Sequence, residues 1–309
     1  MSDRVEYDEF GLFHENAAEY GLAWDGPPAV RRAAAEVAPG RALSALLWGG
    51  ADPELVLLHG GAQNAHTWDT VALALGRPLA AIDLPGHGHS DGPGEQAQGE
   101  LSARGNAVDV AAAVRQLAPR ARAVVGMSLG GLTTIALTAA APELVRKVVL
   151  VDILPGTRPE RSRHITDFTA GPASFASLDE LLERTARFNP ARSRSSLRRG
   201  ILHNAEQQAD GTWVWRWARH RPPAADRPAR PAAAGGYEPL WDAVSAITVP
   251  VLLVRGMRPD SVLGDEQEAE LRRRLPGAEV VHVADAGHSV QGDAPLELAG
   301  LIRRFAFAE

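Results

Sequence analysis

The 309-residue chain contains no cysteine. This absence excludes a disulfide framework, a thiolate nucleophile, and zinc or iron–sulfur sites that cysteine would ligate. Lysine is almost absent as well, because Lys147 is the single lysine among 32 basic residues. The net charge of −6 opposes a general attraction to nucleic acid or to anionic membranes, and we expect neither as a partner.

The sequence also lacks a long apolar run, although hydrophobic residues make up 45% of it. No run approaches the length that a membrane-spanning helix needs. Residues 1–10 are acidic and polar, without the basic start and apolar stretch of a secretory signal. We therefore expect a cytoplasmic protein, either a monomer or a homodimer.

Short apolar runs alternate with helical patterns over most of the chain. Two runs around Pro39-Gly40 are typical of a hairpin, whereas the first 27 residues carry no clear pattern. Strands that alternate with helices predict an α/β fold with a mostly parallel sheet and helices on both faces, and functional sites then lie at the carboxyl ends of the strands. The predicted buried strands are 54–58, 79–84, 121–125, 145–151, 249–254 and 278–284.

The alternation stops between residues 153 and 245, which we interpret as an inserted, mainly helical cap on a core formed by 1–152 and 246–309. This stretch contains 14 arginines and 10 acidic residues, so its charge is near +4 and that of the remainder is near −10. Helices are predicted at 177–188 and 195–208, and a Pro/Ala-rich linker at about 221–236. Three tryptophans alternate as on one face of a strand, either as the core of the cap or as a wall over a substrate: Trp213, Trp215 and Trp217.

The five residues from Gly126 to Gly130 place Ser128 between an apolar run and a helical stretch. A G-x-S-x-G sequence at a strand-to-helix turn is typical of a nucleophile elbow, in which a strained backbone presents the serine hydroxyl above the sheet. Glycine on either side removes side chains that would collide where the helix approaches the strand. A serine hydroxyl needs an adjacent base, normally a histidine whose tautomer a carboxylate fixes, and His288 follows the last predicted strand.

With His59-Gly60-Gly61 after an early strand, the elbow around Ser128, and Gly287-His288 near the end, the chain resembles the serine hydrolase branch of the α/β-hydrolase-fold superfamily. The resemblance covers most of the chain outside the cap. It implies Ser128 as nucleophile, His288 as general base, and no cofactor. No spacing of residues indicates a metal site, and we expect none.

The position of the acid stays open between two aspartates. In the family the acid usually follows the strand that here is 249–254, which points to Asp260, one residue further on than the commonest spacing. Other members place it after the strand that follows the elbow helix, which points to Asp152. A carboxylate that ends an apolar strand is rigidly held and needs a partner such as His288 to offset its desolvation.

Backbone N–H groups near the nucleophile would stabilise a tetrahedral intermediate. The sequence offers Met127 or Leu129 beside Ser128, and Gly61 or Ala62 in the early loop. For the substrate pocket we expect contributions from His66 and Trp215.

These features predict a cofactor-independent hydrolase that cleaves an ester, lactone or thioester of a small apolar molecule through an acyl-enzyme on Ser128. Three alternatives remain. The first is a carbon–carbon bond hydrolase and the second a non-hydrolytic biosynthetic enzyme with His288 as acid–base. The third is a ligand-binding protein without catalysis, because a fold alone does not decide function.

Overall fold

The computed structural model describes residues 4–50, 52–93, 103–172, 174–220 and 240–308. Within these ranges the central sheet has eight strands in the spatial order β1-β2-β4-β3-β5-β6-β10-β11, and a second sheet has the order β7-β9-β8. The strands are β1 (Val30–Ala38), β2 (Arg41–Trp48), β3 (Leu55–Leu58), β4 (Leu79–Ile82), β5 (Ala123–Met127), β6 (Val148–Val151), β7 (Ser174–Phe175), β8 (Ala205–Gln207), β9 (Trp213–Trp215), β10 (Val251–Gly256) and β11 (Glu279–Val283).

The predicted α/β architecture is confirmed. Strands β3, β4, β5, β6, β10 and β11 pair in parallel, and the hairpin of β1 and β2 adds to one edge in antiparallel orientation. Gly40 closes that hairpin with a φ of 70°, a left-handed conformation that glycine adopts at little cost.

Helices cover both faces of the central sheet. The helices of the described residues are α1 (Phe13–Glu19), α2 (Asp69–Leu75), α3 (Ala103–Leu117), α4 (Leu129–Ala140), α5 (Arg163–Thr169), α6 (Leu178–Phe188), α7 (Arg194–Asn204), α8 (Leu240–Ser245), α9 (Asp265–Arg274), α10 (Val290–Asp293) and α11 (Pro295–Phe307). Side chains of α3, α4 and α8 pack on one face, and those of α1, α2 and α11 pack on the other.

The alternation of side chains along each central strand divides the core into these two layers. In β3, Val56 and Leu58 belong to the layer under α3 and α4, whereas Leu55 and Leu57 belong to the layer under α2 and α11. All four are fully buried, as is expected for a strand with helices on both sides.

The described residues between β6 and α8, 152–172 and 174–220, include a separate apolar cluster of their own, and we call this part of the chain the cap. Phe175, Leu181, Ile201 and the tryptophans of β9 are among its buried side chains. Helix α7 ends at Asn204, and 205–207 form strand β8, so the predicted helix over 195–208 was too long at its end. Pairing of β8 with β9 offsets the helical preference of these residues. The predicted linker at 221–236 lies outside the described residues, and the division of the chain at 153 and 245 stays a prediction.

The N-terminal segment connects the cap to the core. Phe13 on α1 is 1% exposed and packs within 4.8 Å of the Trp48 ring, measured between ring centroids. The Val5 N–H donates to the side-chain oxygen of Gln207 on β8, at 2.9 Å. No helix of the described residues has both the length and the apolar character that a membrane crossing requires.

Candidate active site

Ser128 lies at the turn between β5 and α4 with a φ of 51° and a ψ of −118°. A non-glycine residue at positive φ is strained, and such strain persists only where the surrounding structure enforces it. The predicted strand-to-helix context of Ser128 and its strained backbone are therefore both present. The turn aims the side chain away from the sheet at its carboxyl edge.

The two flanking glycines allow α4 to start close to the sheet. A Cβ atom on Gly126 would lie 2.4 Å from the carbonyl oxygen of Gly130. A Cβ atom on Gly130 would lie 2.2 Å from the carbonyl oxygen of Leu58 on β3. Both distances are well inside van der Waals contact with backbone atoms, so any larger residue would displace the turn that carries Ser128.

The structure brings His288 together with Asp152. The Nδ1 atom of His288 lies 2.9 Å from Oδ2 of Asp152, and both side chains are buried. In this arrangement Nδ1–H donates to the carboxylate, which leaves the Nε2 lone pair of His288 available as a base.

Asp152 is held from several directions at the end of β6. Its carboxylate accepts the Gly256 N–H at 3.0 Å, the Ser261 hydroxyl at 2.7 Å and the Val262 N–H at 3.0 Å, in addition to His288. The residue is fully buried, with a φ of 46°. Four donors to one buried carboxylate offset its desolvation and fix its orientation toward His288.

Asp260 occupies a different position on the loop after β10. A Cβ atom on Gly287 would lie 2.2 Å from its carboxylate oxygens, so this carboxylate packs on the backbone that precedes His288. Among the hydrogen bonds of the described residues, none joins Asp260 to His288. Asp260 does line the cavity that contains Ser128.

Ser128 and His288 open into one cavity of about 590 Å³ between the sheet and the cap. Much of its wall is apolar, which suits a substrate with a hydrocarbon portion. The apolar side chains that line it include Leu132, Ile153, Leu154, Ile165, Phe168 and Phe188.

Other residues of the cavity wall are polar or charged. They include Arg192, Arg258, Asp293 and His164. Burial raises the pKa of Asp293, against the opposing effect of the Gly287 N–H and the arginines. Burial lowers the pKa of His164, and a positive charge on His288 would lower it further, so the imidazole of His164 is kept neutral.

The backbone donors near Ser128 differ in their availability. The Ala62 N–H already donates to Nε2 of His87, at 3.1 Å, although Ala62 was a candidate oxyanion donor. Met127 belongs to β5, where it is paired with β6. Leu129 is the first residue of α4, so its N–H has no partner within the helix. Leu129 and Gly61 are therefore the donors that this geometry favours.

The two residues predicted for the substrate pocket do not line the cavity at Ser128. Trp215 is 4% exposed, belongs to the apolar cluster of the cap and stacks against Trp217. His66 is buried in a group of charged side chains, because its Nδ1 lies 2.9 Å from the carboxylate of Asp69. Both residues line a second, smaller cavity instead.

Asn64 and Asn204 connect the early loop to the cap, and we did not predict this connection from the sequence. The Asn204 side-chain amide donates to the Ala62 carbonyl oxygen at 2.7 Å. The Asn64 side-chain amide donates to the His203 carbonyl oxygen at 2.9 Å. Ala62 has a φ of 61°, so these bonds hold a strained segment next to the predicted oxyanion donors. Local patterns cannot reveal a pair of residues 140 positions apart.

The fold and this site define a family. The chain belongs to the alpha/beta hydrolase family, whose model matches residues 55–301. Among its relatives, the esterase Rv0045c of Mycobacterium tuberculosis is 42% identical over 304 residues, which cover 96% of this chain and 95% of the relative. This similarity supports an ester hydrolase.

Solved structures agree with this assignment. A structure of the M. tuberculosis esterase Rv0045c, from work on its transition metal inhibition and structural refinement, matches with a TM-score of 0.79 at 41% identity and covers 97% of this chain and 98% of the other. The crystal structure of E-2-(acetamidomethylene)succinate hydrolase matches with a TM-score of 0.74 at 23% identity, over 90% of this chain and 100% of that one. The second likeness shows the fold alone.

Proposed function

We propose that the chain is a serine hydrolase of carboxylic esters, which cleaves small, largely apolar substrates through an acyl-enzyme on Ser128. The observation that carries the proposal is the 2.9 Å contact between His288 Nδ1 and Asp152 Oδ2, beside a cavity that also contains Ser128. Lactones and thioesters would react by the same chemistry.

In the first half-reaction, His288 Nε2 takes the proton of the Ser128 hydroxyl as its oxygen attacks the ester carbonyl. The resulting oxyanion accepts hydrogen bonds from the N–H groups of Leu129 and Gly61. Asp152 stabilises the imidazolium of His288 through the Nδ1–H bond. The C–O bond to the leaving group breaks, and His288 returns the proton to the departing alcohol.

In the second half-reaction, water replaces the alcohol. His288 Nε2 takes a proton from the water as its oxygen attacks the acyl carbonyl, and the same two N–H groups bind the new oxyanion. The acyl–oxygen bond to Ser128 breaks, and the Ser128 oxygen receives the proton from His288. The products are a carboxylic acid and an alcohol, and the two half-reactions consume only the ester and water.

A panel of p-nitrophenyl esters tests the substrate class. We expect turnover of the acetate, butyrate and hexanoate, with kcat/KM rising by up to about fourfold for each added methylene, because each buried CH₂ contributes about 0.8 kcal/mol. A fall in kcat/KM from acetate to hexanoate would contradict an apolar acyl site. No turnover of any ester, with a folded protein, would favour the non-hydrolytic or ligand-binding alternatives instead.

The link between the cap and the early loop gives a second prediction. Replacing Asn204 with alanine removes the donor to the Ala62 carbonyl, so the strained loop next to Gly61 relaxes. We expect kcat for p-nitrophenyl butyrate to fall by about 3- to 10-fold with little change in KM, as for the loss of one hydrogen bond. Steady-state kinetics at saturating and limiting ester measure the two constants.

Asn189→Ala is the matched control for this variant. Asn189 is also a cap residue that lines the Ser128 cavity, but its amide donates to the Thr185 carbonyl within the cap, at 2.9 Å. An equal loss of kcat in both variants would mean that the cap as a whole, and not the Asn204 bond, sets the geometry of the loop.

A further inference from the structure

A second group of ionisable side chains lies under the cap, apart from Ser128 and His288. Asp69 is the first residue of α2, His66 lies in the short 3₁₀-helix (Ala65–Trp68) directly before it, and His203 is near the end of α7. All three are buried, and each offers one ligand atom within 4.8 Å of the other two. Buried ionisable groups that converge on one point need a counter-charge or an ion to offset their desolvation.

The outer partners of the two imidazoles orient their inner nitrogens toward Asp69. Glu9 lies 3.1 Å from Nε2 of His66, and the Tyr7 hydroxyl lies 2.7 Å from Nδ1 of His203. If these outer nitrogens carry the protons, the lone pairs of His66 Nδ1 and His203 Nε2 both face the Asp69 carboxylate. A carboxylate or hydroxyl that fixes a histidine in this way is the usual support of a metal-binding imidazole.

Two atoms of the group have no hydrogen-bond partner among the described residues. They are Nε2 of His203 and Oδ1 of Asp69, and both are buried. An unsatisfied buried polar atom is costly, so a native structure that retains two of them in one group of side chains needs a reason. A cavity of about 180 Å³ adjoins them, with room for water.

We propose that His66 Nδ1, His203 Nε2 and the Asp69 carboxylate bind one divalent transition-metal ion, with Zn²⁺ as the first choice. Two imidazoles and a carboxylate, with water in the fourth position, form a donor set that suits zinc, cobalt and nickel.

The separations of the donor atoms suit such an ion. Ligand atoms at about 2.1 Å from a tetrahedral ion are about 3.4 Å apart. Oδ2 of Asp69 lies 2.9 Å from His66 Nδ1 and 3.7 Å from His203 Nε2, so these two separations are each within about half an ångström of that value. The imidazole rings are stacked at 3.8 Å and 7° from parallel, so they must tilt apart when both bind the ion.

The ion would join three parts of the chain. In the absence of an ion, the two ring nitrogens of His66 lie within hydrogen-bond distance of carboxylates, Asp69 at 2.9 Å and Glu9 at 3.1 Å. The ligands come from the core and the cap, and Tyr7 and Glu9 come from the N-terminal segment. Gln63 and Ser289 line both this cavity and that of Ser128, so the two cavities are neighbours.

Isothermal titration of the full-length, chelator-treated protein with Zn²⁺ tests the proposal without any assay of turnover. We expect one ion per chain, an increase in Tm on binding, and visible absorption typical of four-coordinate cobalt when Co²⁺ is used. His203→Gln and Asp69→Asn should each abolish this one-to-one binding. His282→Gln is the matched control, because it removes a surface histidine that contacts a carboxylate, Glu268, at 2.8 Å.

A pair of tyrosine variants keeps the test valid if a ligand variant does not fold. Tyr7→Phe removes only the hydroxyl that orients His203, and we expect Zn²⁺ affinity to fall by about 10-fold or more. Tyr20→Phe, which borders the same cavity but contacts the Gly292 carbonyl, should bind as the wild type does. The proposal is overturned if the wild type binds no ion, if binding is lost with His282→Gln, or if both tyrosine variants bind equally.

Discussion

Replacing Ser128 with alanine is expected to lower kcat/KM for p-nitrophenyl butyrate by a factor of about 10⁴ or more. The reason is that the acyl-enzyme cannot form without the hydroxyl, while the remaining groups still bind the ester and stabilise the oxyanion. The same variant should lose all covalent labelling by a fluorophosphonate, read by mass spectrometry of the intact protein and of its peptides. Wild-type protein should carry one label, on the peptide that contains Ser128.

Ser162→Ala is the matched control for Ser128→Ala. Ser162 lines the same cavity, but its hydroxyl donates to the Pro159 carbonyl at 3.2 Å, and no hydrogen bond in the described part of the chain joins it to a histidine. We expect labelling and turnover of this variant within a few-fold of wild type. Ester turnover by Ser128→Ala within tenfold of wild type would rule out the acyl-enzyme mechanism, even if the protein remained an ester hydrolase by another route.

The elbow could be predicted from the sequence because its requirements are local. Gly126 and Gly130 are needed where backbone atoms approach closely, and this need follows from a short motif between an apolar run and a helix. The hairpin around Gly40 was predictable for the same reason. Short, continuous apolar runs likewise identified the buried strands, since the two faces of a strand such as β3 are buried in two separate apolar layers.

The contacts between distant segments could not be predicted in this way. Asn204 and Ala62 meet because the cap folds back over the early loop, and no local pattern encodes that approach. The same is true of His66 and His203, whose rings stack although 137 positions separate them. The metal site that we propose has ligands this far apart in the chain, so its residues give no spacing signal, and the sequence analysis predicted no metal site.

The surroundings of the tryptophans in the cap could not be predicted from the sequence either. Three tryptophans at every second position suited either a wall over the substrate or a packed interior, and this spacing alone cannot distinguish the two. Trp215 lies in the interior because β9 pairs on both sides, with β7 and β8, and one face of this small sheet packs on α6 and α7. Helix α7 ended early for a related reason, since its last predicted residues gain strand pairing with β9.

Asp152→Asn and Asp260→Asn are expected to differ in kcat by about three orders of magnitude. An amide in place of the Asp152 carboxylate cannot hold His288 in the tautomer that leaves Nε2 free, and we expect kcat for p-nitrophenyl butyrate to fall by about 10³- to 10⁴-fold. Asp260→Asn should stay within a few-fold of wild type, because the Asp260 carboxylate packs on the Gly287 backbone without a hydrogen bond to His288. Stopped-flow and steady-state assays of both variants measure the difference.

In this comparison a loss of stability must be distinguished from a loss of catalysis, because the Asp152 carboxylate also accepts hydrogen bonds from the N–H groups of Gly256 and Val262. Some loss of Tm is therefore expected in Asp152→Asn, and the rate of fluorophosphonate labelling provides the second measurement. A folded Asp152→Asn protein should still be labelled at Ser128, but slowly, since the serine is present and its base is misoriented. Equal, fast labelling of both variants would remove Asp152 from the mechanism, whereas slow labelling of Asp260→Asn alone would transfer the role of the acid to Asp260.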